Sequence, residues 1–383
     1  MIKAAPREQR CYRDVKNHFG NMTGAFSDGA ILFPLLAALV LQAGMDGAVL
    51  LASVGAAYIA AGFVFGVPMA VQPLKSVVVA ALAIGASALE ISLSGLAVGV
   101  ICLVLSFCYA DRLASLVPKH LVHGLQLALG VLLMVNGVKW GFVDRSLLMS
   151  AGFIGLTLLI LFLSARTERP VMGWVATGGL ALAFFLSFGD PVASPAQESE
   201  GLRLPVLLAL VLPQLALTLT NSVVGTHDVS KRYFGEDAKR ITPARLLRSI
   251  GIGNILSAGV GGLPFCHGSG GVTAHVKGGA KSWHMNLMIG SALLALAGVS
   301  WLFLPLIPAY PATLMAVLVF VTGWFHVQLA GPSWEKKELR WQLLAIGLTA
   351  LVTQNMLWAL GVGVLADMIG RASVRAEATR KGA

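Results

Sequence analysis

Charged side chains are scarce in this sequence. Asp, Glu, Lys and Arg make up 12% of its 383 residues, about half of what a soluble globular chain carries. That shortage excludes water as the solvent for most of the surface. With 56% hydrophobic residues and a mean hydropathy of +0.78, the solvent is expected to be lipid. Cysteine is nearly absent as well. Cys11, Cys102, Cys108 and Cys266 have neither zinc-site nor disulfide-framework spacing, so no metal or redox role is expected of them. Cys102 and Cys108 fall inside an apolar block and read as small buried thiols. The first twenty residues are polar and basic with no apolar stretch, which argues against a cleavable signal peptide and leaves insertion to the first spanning helix.

Catalytic constellations are missing too. Gly278-Gly279-Ala280-Lys281-Ser282 has alanine where a phosphate loop requires glycine. His267-Gly268-Ser269-Gly270 lacks the Gly-x-Ser-x-Gly frame of a nucleophile elbow. Neither an enzyme nor a cofactor nor a bound metal is expected.

What is present is a series of apolar runs. A bilayer core about 30 Å thick needs roughly 20 apolar residues per spanning helix, and such blocks recur along the chain. They fit an all-α polytopic membrane protein of about fourteen segments. Segment three spans 66–85, segment eight 204–225 and segment ten 261–278; the last two, 339–354 and 355–370, are short. The formal net charge of +10 could signal nucleic acid, but the basic residues sit in short loops between apolar blocks, where they determine topology instead. With the N-terminus in the cytoplasm, Lys139, Arg145 and Arg203 fall outside and Lys75 falls within the membrane. Every other Lys and Arg falls on the cytoplasmic side. The expectation is a multi-pass protein of the cytoplasmic (inner) membrane with both termini cytoplasmic.

Segments three and ten share an internal repeat. Gly66-Val67-Pro68-Met69 aligns with Gly262-Leu263-Pro264-Phe265, and each copy interrupts its apolar block at the same relative place. Seven segments separate the copies, an odd number, so the halves run in opposite orientation. Gly/Pro-broken segments in corresponding positions of two halves point to a transporter's binding site. Non-helical backbone cannot face lipid, so both stretches must be buried or line a wet cavity. Each is followed by a short helix, with Pro73 suited to a first helical position. Two helix N-termini meeting at mid-membrane favour a small anion.

The polar residues nearby fit that site. Gly268, Ser269 and Gly270 let the backbone approach a ligand; no packing reason for these glycines is legible in the sequence. Gln214, Thr218 and Asn221 are spaced four and three apart and share a helical face. Gln72 and Lys75 flank Pro73, and Ser27 and Asp28 precede the apolar run of segment one. Intramembrane charge is costly and marks function, yet two readings fit each group. Lys75 either adds positive charge to the anion site or neutralises Asp28. Asp28 either carries a proton or caps a helix. His267 either carries a proton or is held by backbone. Glu90, at the start of segment four, reads as an interfacial cap.

Three stretches resemble motifs of the molybdate transporter family, a branch related to the sulfate permeases: Gly66-Val-Pro-Met-Ala-Val-Gln-Pro-Leu-Lys75, Leu212-Pro-Gln-Leu-Ala-Leu-Thr-Leu-Thr-Asn-Ser222 and Leu263-Pro-Phe-Cys-His-Gly-Ser-Gly-Gly271. The resemblance covers roughly residues 20–370. It implies a uracil-permease-type fold, a seven-plus-seven inverted repeat with a core domain (21–110 and 204–305) and a gate domain (111–188 and 306–370). A basic tail (1–20), an outer loop (189–203) and a cytoplasmic tail (371–383) complete the division. The resemblance further implies elevator-like motion of core against gate, with substrate held between segments three and ten. The matching positions are Gln72, Lys75, Gln214, Thr218, Asn221, His267, Gly268, Ser269 and Gly270. Segment one departs from the family's Gly-Asp-x-Gly-Thr pattern, reading Ser27-Asp28-Gly29-Ala30-Ile31, which leaves sulfate and tungstate open beside molybdate. Proton co-transport through Asp28 or His267, and a gate-domain homodimer, are the further expectations. A nucleobase carrier on the same fold is the rival, disfavoured because segment eight offers Gln214, Thr218 and Asn221 rather than an acid. An anion channel is the other.

Overall fold

Backbone in hydrocarbon has no water to bond, so each spanning segment must satisfy its own N–H and C=O groups. Helix is the solution found here. The computed structural model describes residues 18–108, 118–142, 146–167, 171–186, 201–302 and 311–382. Besides shorter helical pieces at 18–25, Thr226–Phe234 and Gly331–Trp334, the helices in chain order are α1 (Gly29–Ala43), α2 (Gly47–Phe65), α3 (Lys75–Ile84), α4 (Ala88–Cys108), α5 (Lys119–Phe142), α6 (Leu147–Arg166), α7 (Val171–Leu186), α8 (Leu204–Leu217), α9 (Pro243–Gly259), α10 (Ser269–Lys277), α11 (His284–Leu302), α12 (Ala312–Gln328), α13 (Lys337–Thr353) and α14 (Met356–Gly382). Among the described residues, six stretches are long and apolar enough to cross a membrane: Gly47–Phe65, Ala88–Cys108, Lys119–Phe142, Leu147–Arg166, Leu204–Arg240 and His284–Trp301. Cys11, most of the basic tail and most of the outer loop lie outside the described residues.

Three close helix pairs organise the bundle: α2 with α11, α4 with α9, and α5 with α12. Each is closed by a glycine on either side. Gly55 faces Gly290, Gly99 faces Gly251, and Gly130 faces Gly323. A Cβ on any of the six would lie 2.6–3.0 Å from the partner's carbonyl oxygen. Small residues let membrane helices approach to backbone contact, where packing replaces the hydrophobic drive that lipid does not supply.

The interrupted segments are where the sequence pattern puts them. Helix α2 ends at Gly66 in the left-handed region (φ 73°). Beyond it, β1 (Gln72–Pro73) pairs antiparallel with β2 (Phe265–Cys266), with Gln72 opposite Cys266 and Pro73 opposite Phe265. The short helices α3 and α10 follow, 10 and 9 residues long. At 1.5 Å per residue these reach only about half of the bilayer core.

Two asparagines clip the broken strands. Asn286 on α11 accepts from Met69 N (3.0 Å) and donates to Met69 O (2.7 Å). Asn254 on α9 accepts from Phe265 N (2.8 Å) and donates to Phe265 O (2.6 Å). Met69 and Phe265 are the equivalent residues of the two repeat motifs, so one device satisfies the same otherwise orphaned backbone twice.

Several details differ from the sequence reading. Pro73 sits in β1, and α3 begins at Lys75. Segment one is itself interrupted: residues 18–25 are helical, 26–28 form a turn, and α1 starts at Gly29. Segment eight is not a regular helix. After α8 it runs as a π-helix over Thr218–Gly225 and continues as a helix over Thr226–Phe234. Hydroxyls that bond backwards stabilise the wider turn, Thr220 Oγ1 to Ala216 O and Thr226 Oγ1 to Asn221 O. The expected tail beyond residue 370 is helical to Gly382 as part of α14. Cys102 is buried as expected, but Cys108 is exposed.

Candidate functional site

The cavity beside the broken strands has a volume of about 460 Å³. Of the residues singled out in the sequence, Ser27, Asp28, Lys75, Gln214, Asn221, Ser269 and Gly270 line it. The break in segment one places Ser27 and Asp28 there, β1 delivers Lys75, the π-turn carries Asn221, and β2 leads to the N-terminus of α10.

The N-terminus of α10 is open. Gly268 is its cap residue and makes no side-chain cap, while the N–H groups of Gly271 and Val272 turn back to Gly268 O at 3.1 and 3.2 Å. The N–H groups of Ser269 and Gly270, in the first turn, have no acceptor within the helix. Ser269 Oγ donates to Asn221 Oδ1 at 2.6 Å, which joins the π-turn of segment eight to this end of α10.

The other helix end differs from the expectation of two open N-termini. Gln214 Oε1 accepts from Ser76 N at 2.9 Å and from Val77 N at 3.4 Å, so an amide from α8 caps α3. Gln214 Nε2 in turn donates to Thr218 Oγ1 at 3.0 Å. What α3 presents to the cavity is the side chain of Lys75. It is 8% exposed and makes no ion pair among the described residues.

Asp28 precedes α1 but its side chain caps nothing. Gln72 Nε2 donates to Asp28 Oδ1 instead. Asp28 Oδ2 and Gln72 Oε1 are buried with no hydrogen-bond partner among the described residues, an arrangement that costs roughly 1–3 kcal/mol per group. The glycines of the loop now have separate reasons. A Cβ on Gly268 would strike Gln72 Oε1, and one on Gly271 would strike Ala70, Gln72 and Asp28; nothing lies within 4 Å of a Cβ on Gly270. The first two are packing glycines, and Gly270 is open to the cavity.

Gln72, Thr218, His267 and Gly268 are buried behind the cavity wall and do not line it. His267 is held at both ring nitrogens, Nδ1 against Ala70 O at 2.8 Å and Nε2 against Ser249 Oγ at 2.8 Å. Of the two readings for His267, the structure shows the one in which backbone holds it. Glu90 is a cap, as read. Ser87 and Glu90 exchange hydrogen bonds in a capping box, and Arg203 Nη2 adds a salt bridge at 2.8 Å.

Part of the cavity wall was missed by sequence reasoning. Gln126 and Leu129 from α5, Thr322, Phe325 and His326 from α12, and Leu329 just past its end also line the cavity. His326 Nδ1 lies 2.9 Å from Thr322 O, so Nδ1 carries the proton. These residues sit in ordinary apolar helices with no motif around them. Among the described residues, no group of three or more His, Cys, Asp or Glu could hold a metal ion.

Comparison with known proteins gives the family and the fold. The sequence matches the family model described as a molybdate transporter of the MFS superfamily over residues 20–133 and 206–325, more than half of the chain. The match covers α1–α4 and α9–α11 whole, and α8 from residue 206 onward. Molybdate transporter 1 of Arabidopsis thaliana is 25% identical over 363 residues, covering 80% of this chain and 79% of that one. Molybdate transporter 2 of the same plant is 24% identical over 402 residues, covering 90% and 85%. Among solved structures, the transmembrane domain of a cyanobacterium bicarbonate transporter, BicA, superposes with a TM-score of 0.63 at 16% identity, covering 91% of this chain and 97% of that one. SLC26A9 superposes with a TM-score of 0.66 at 14% identity, covering 95% and 67%. The structures give the fold, an SLC26-type arrangement.

Proposed function

The chain belongs to the molybdate transporter family, and from that premise we propose that it carries a tetrahedral oxyanion, molybdate first, across the cytoplasmic membrane by alternating access. One observation carries the reading. Lys75, buried and without a salt-bridge contact among the described residues, faces the same cavity as Asp28 and the open N-terminus of α10. The ammonium and two N–H groups without an acceptor in the helix, supplemented by the amide of Asn221, make a site for negative charge. The cavity is large enough for an oxyanion together with ordered water. Tungstate and sulfate share the charge and the tetrahedral shape, so they are expected as competitors.

The same reading assigns fourteen segments in two inverted repeats of seven, with α1–α4 and α8–α11 as core and α5–α7 and α12–α14 as gate. The composition of the cavity wall supports it, because α5 and α12 contribute to it beside the broken segments. Sliding of the core against that wall carries the anion across. Asp28 supplies the proton coupling. While ionised it offsets Lys75; once protonated it leaves the Lys75 charge for the anion. Anion and proton therefore bind together.

Uptake of labelled molybdate into proteoliposomes tests the proposal. Saturable uptake, stimulated by an inward proton gradient and competed by tungstate, is the expected result. Absence of saturable uptake of any oxyanion removes it.

A further inference from the structure

A second cavity, of about 490 Å³, lies on the outer side of the same broken strand, between α2 and α9. Its floor is made of small residues, Ala56, Ala57 and Ala60 of α2 and Gly253 of α9. Arg245 and Arg248 line it at the start of α9, and no acidic side chain lines it. Both arginines are exposed, and neither makes an ion pair among the described residues. The Arg248 guanidinium is held 5.0 Å over the Phe107 ring, which fixes one charge at the mouth. From Arg245 to Val260 the groove runs about 22 Å along α9, longer than the roughly 15 Å half-thickness of a bilayer core.

We propose that this groove seats one anionic phospholipid, with its phosphate on Arg245 and Arg248 and an acyl chain along the alanine floor. Any lipid-facing surface meets acyl chains. This one differs in being concave, apolar along its length and cationic at one end only, a match to a molecule with one charged end. Zwitterionic lipid offers the same chain but lacks the net charge that two unpaired guanidiniums attract. Free phosphate offers the charge but nothing to fill the floor.

The seat also touches the anion cavity. Successive residues of a strand point to opposite faces, and β2 obeys this: Phe265 lines the groove while Cys266 lines the anion cavity. Ser249, another groove residue, holds His267 at 2.8 Å. A lipid in the groove therefore buttresses the strand that positions α10.

The test uses the full chain purified in a neutral detergent. Its melting is followed with phosphatidylglycerol, with phosphatidylcholine of the same acyl chains, and with inorganic phosphate, and native mass spectrometry counts retained lipid. Phosphatidylglycerol is expected to raise Tm beyond phosphatidylcholine, phosphate to leave it unchanged, and one phosphatidylglycerol to be retained. R245Q/R248Q, altered only at exposed side chains, is expected to lose that increment. Ala57→Phe, which fills the floor and keeps both charges, is expected to lose it as well. Equal shifts with the two lipids, a shift with phosphate alone, or either variant retaining the full increment overturns the proposal.

Discussion

Gln214 Oε1 accepts the Ser76 N–H at 2.9 Å, so a side chain from the second half of the chain closes the helix that follows the first broken strand. Removing this amide leaves the start of α3 without its acceptor. Gln214→Ala is expected to cost about 1 kcal/mol of stability, as for other helix caps. Gln214→Glu keeps the acceptor but sets a negative charge on the cavity wall. It is expected to fold normally and to bind molybdate at least ~10-fold more weakly, since each factor of ten is about 1.4 kcal/mol. Calorimetry and thermal melting on the pair distinguish the two effects.

Lys75 separates stability from function in the opposite direction. Its ammonium is buried without a salt-bridge contact among the described residues, and a charge held within the membrane is costly to the fold. Lys75→Met is expected to raise Tm while weakening anion binding by about 2 kcal/mol or more, ~30-fold. A loss of stability with unchanged affinity counts against its place in the site.

Asp28→Asn retains an oxygen for Gln72 Nε2 and removes the titratable charge. Anion exchange between equal pools is expected to persist, while accumulation driven by a proton gradient is lost. Flux measured in proteoliposomes with and without a gradient decides it, and accumulation that survives makes Asp28 structural.

Two neighbouring glycines give a control. Gly271→Ala places a Cβ against Ala70, Gln72 and Asp28 and is expected to lower Tm. Gly270→Ala meets nothing within 4 Å, so it is expected to fold normally and to weaken binding by crowding the open end of α10. If the two variants behave alike in melting and affinity, the distinction drawn between them fails.

The interrupted segments were legible because glycine and proline inside an apolar block have few other readings in a membrane. Lys75 and Ser269 could be named for the same reason, being polar groups beside a break, whereas Asn221 was named for its helical spacing with Gln214 and Thr218, and Ser27 and Asp28 for preceding the apolar run of segment one. Of the two readings of His267, neither was favoured by the sequence. Its neighbours in sequence are site residues, but the partners that hold it, Ala70 O and Ser249 Oγ, come from elsewhere in the chain. Gly268 looked like a ligand-approach glycine, and only the packed position of Gln72 shows otherwise. The π-turn of segment eight depends on backward hydrogen bonds that helical spacing does not reveal. Gln126, Thr322 and His326 carried no signal at all. They reach the cavity because α5 and α12 pack through Gly130 and Gly323, a tertiary fact.

Anomalous diffraction from crystals grown with tungstate tests the anion site most directly, because the heavy atom marks its own position. The account predicts one strong peak in the cavity, within reach of Lys75 Nζ and of the Ser269 and Gly270 N–H groups. A peak elsewhere, or none at saturating tungstate, contradicts it.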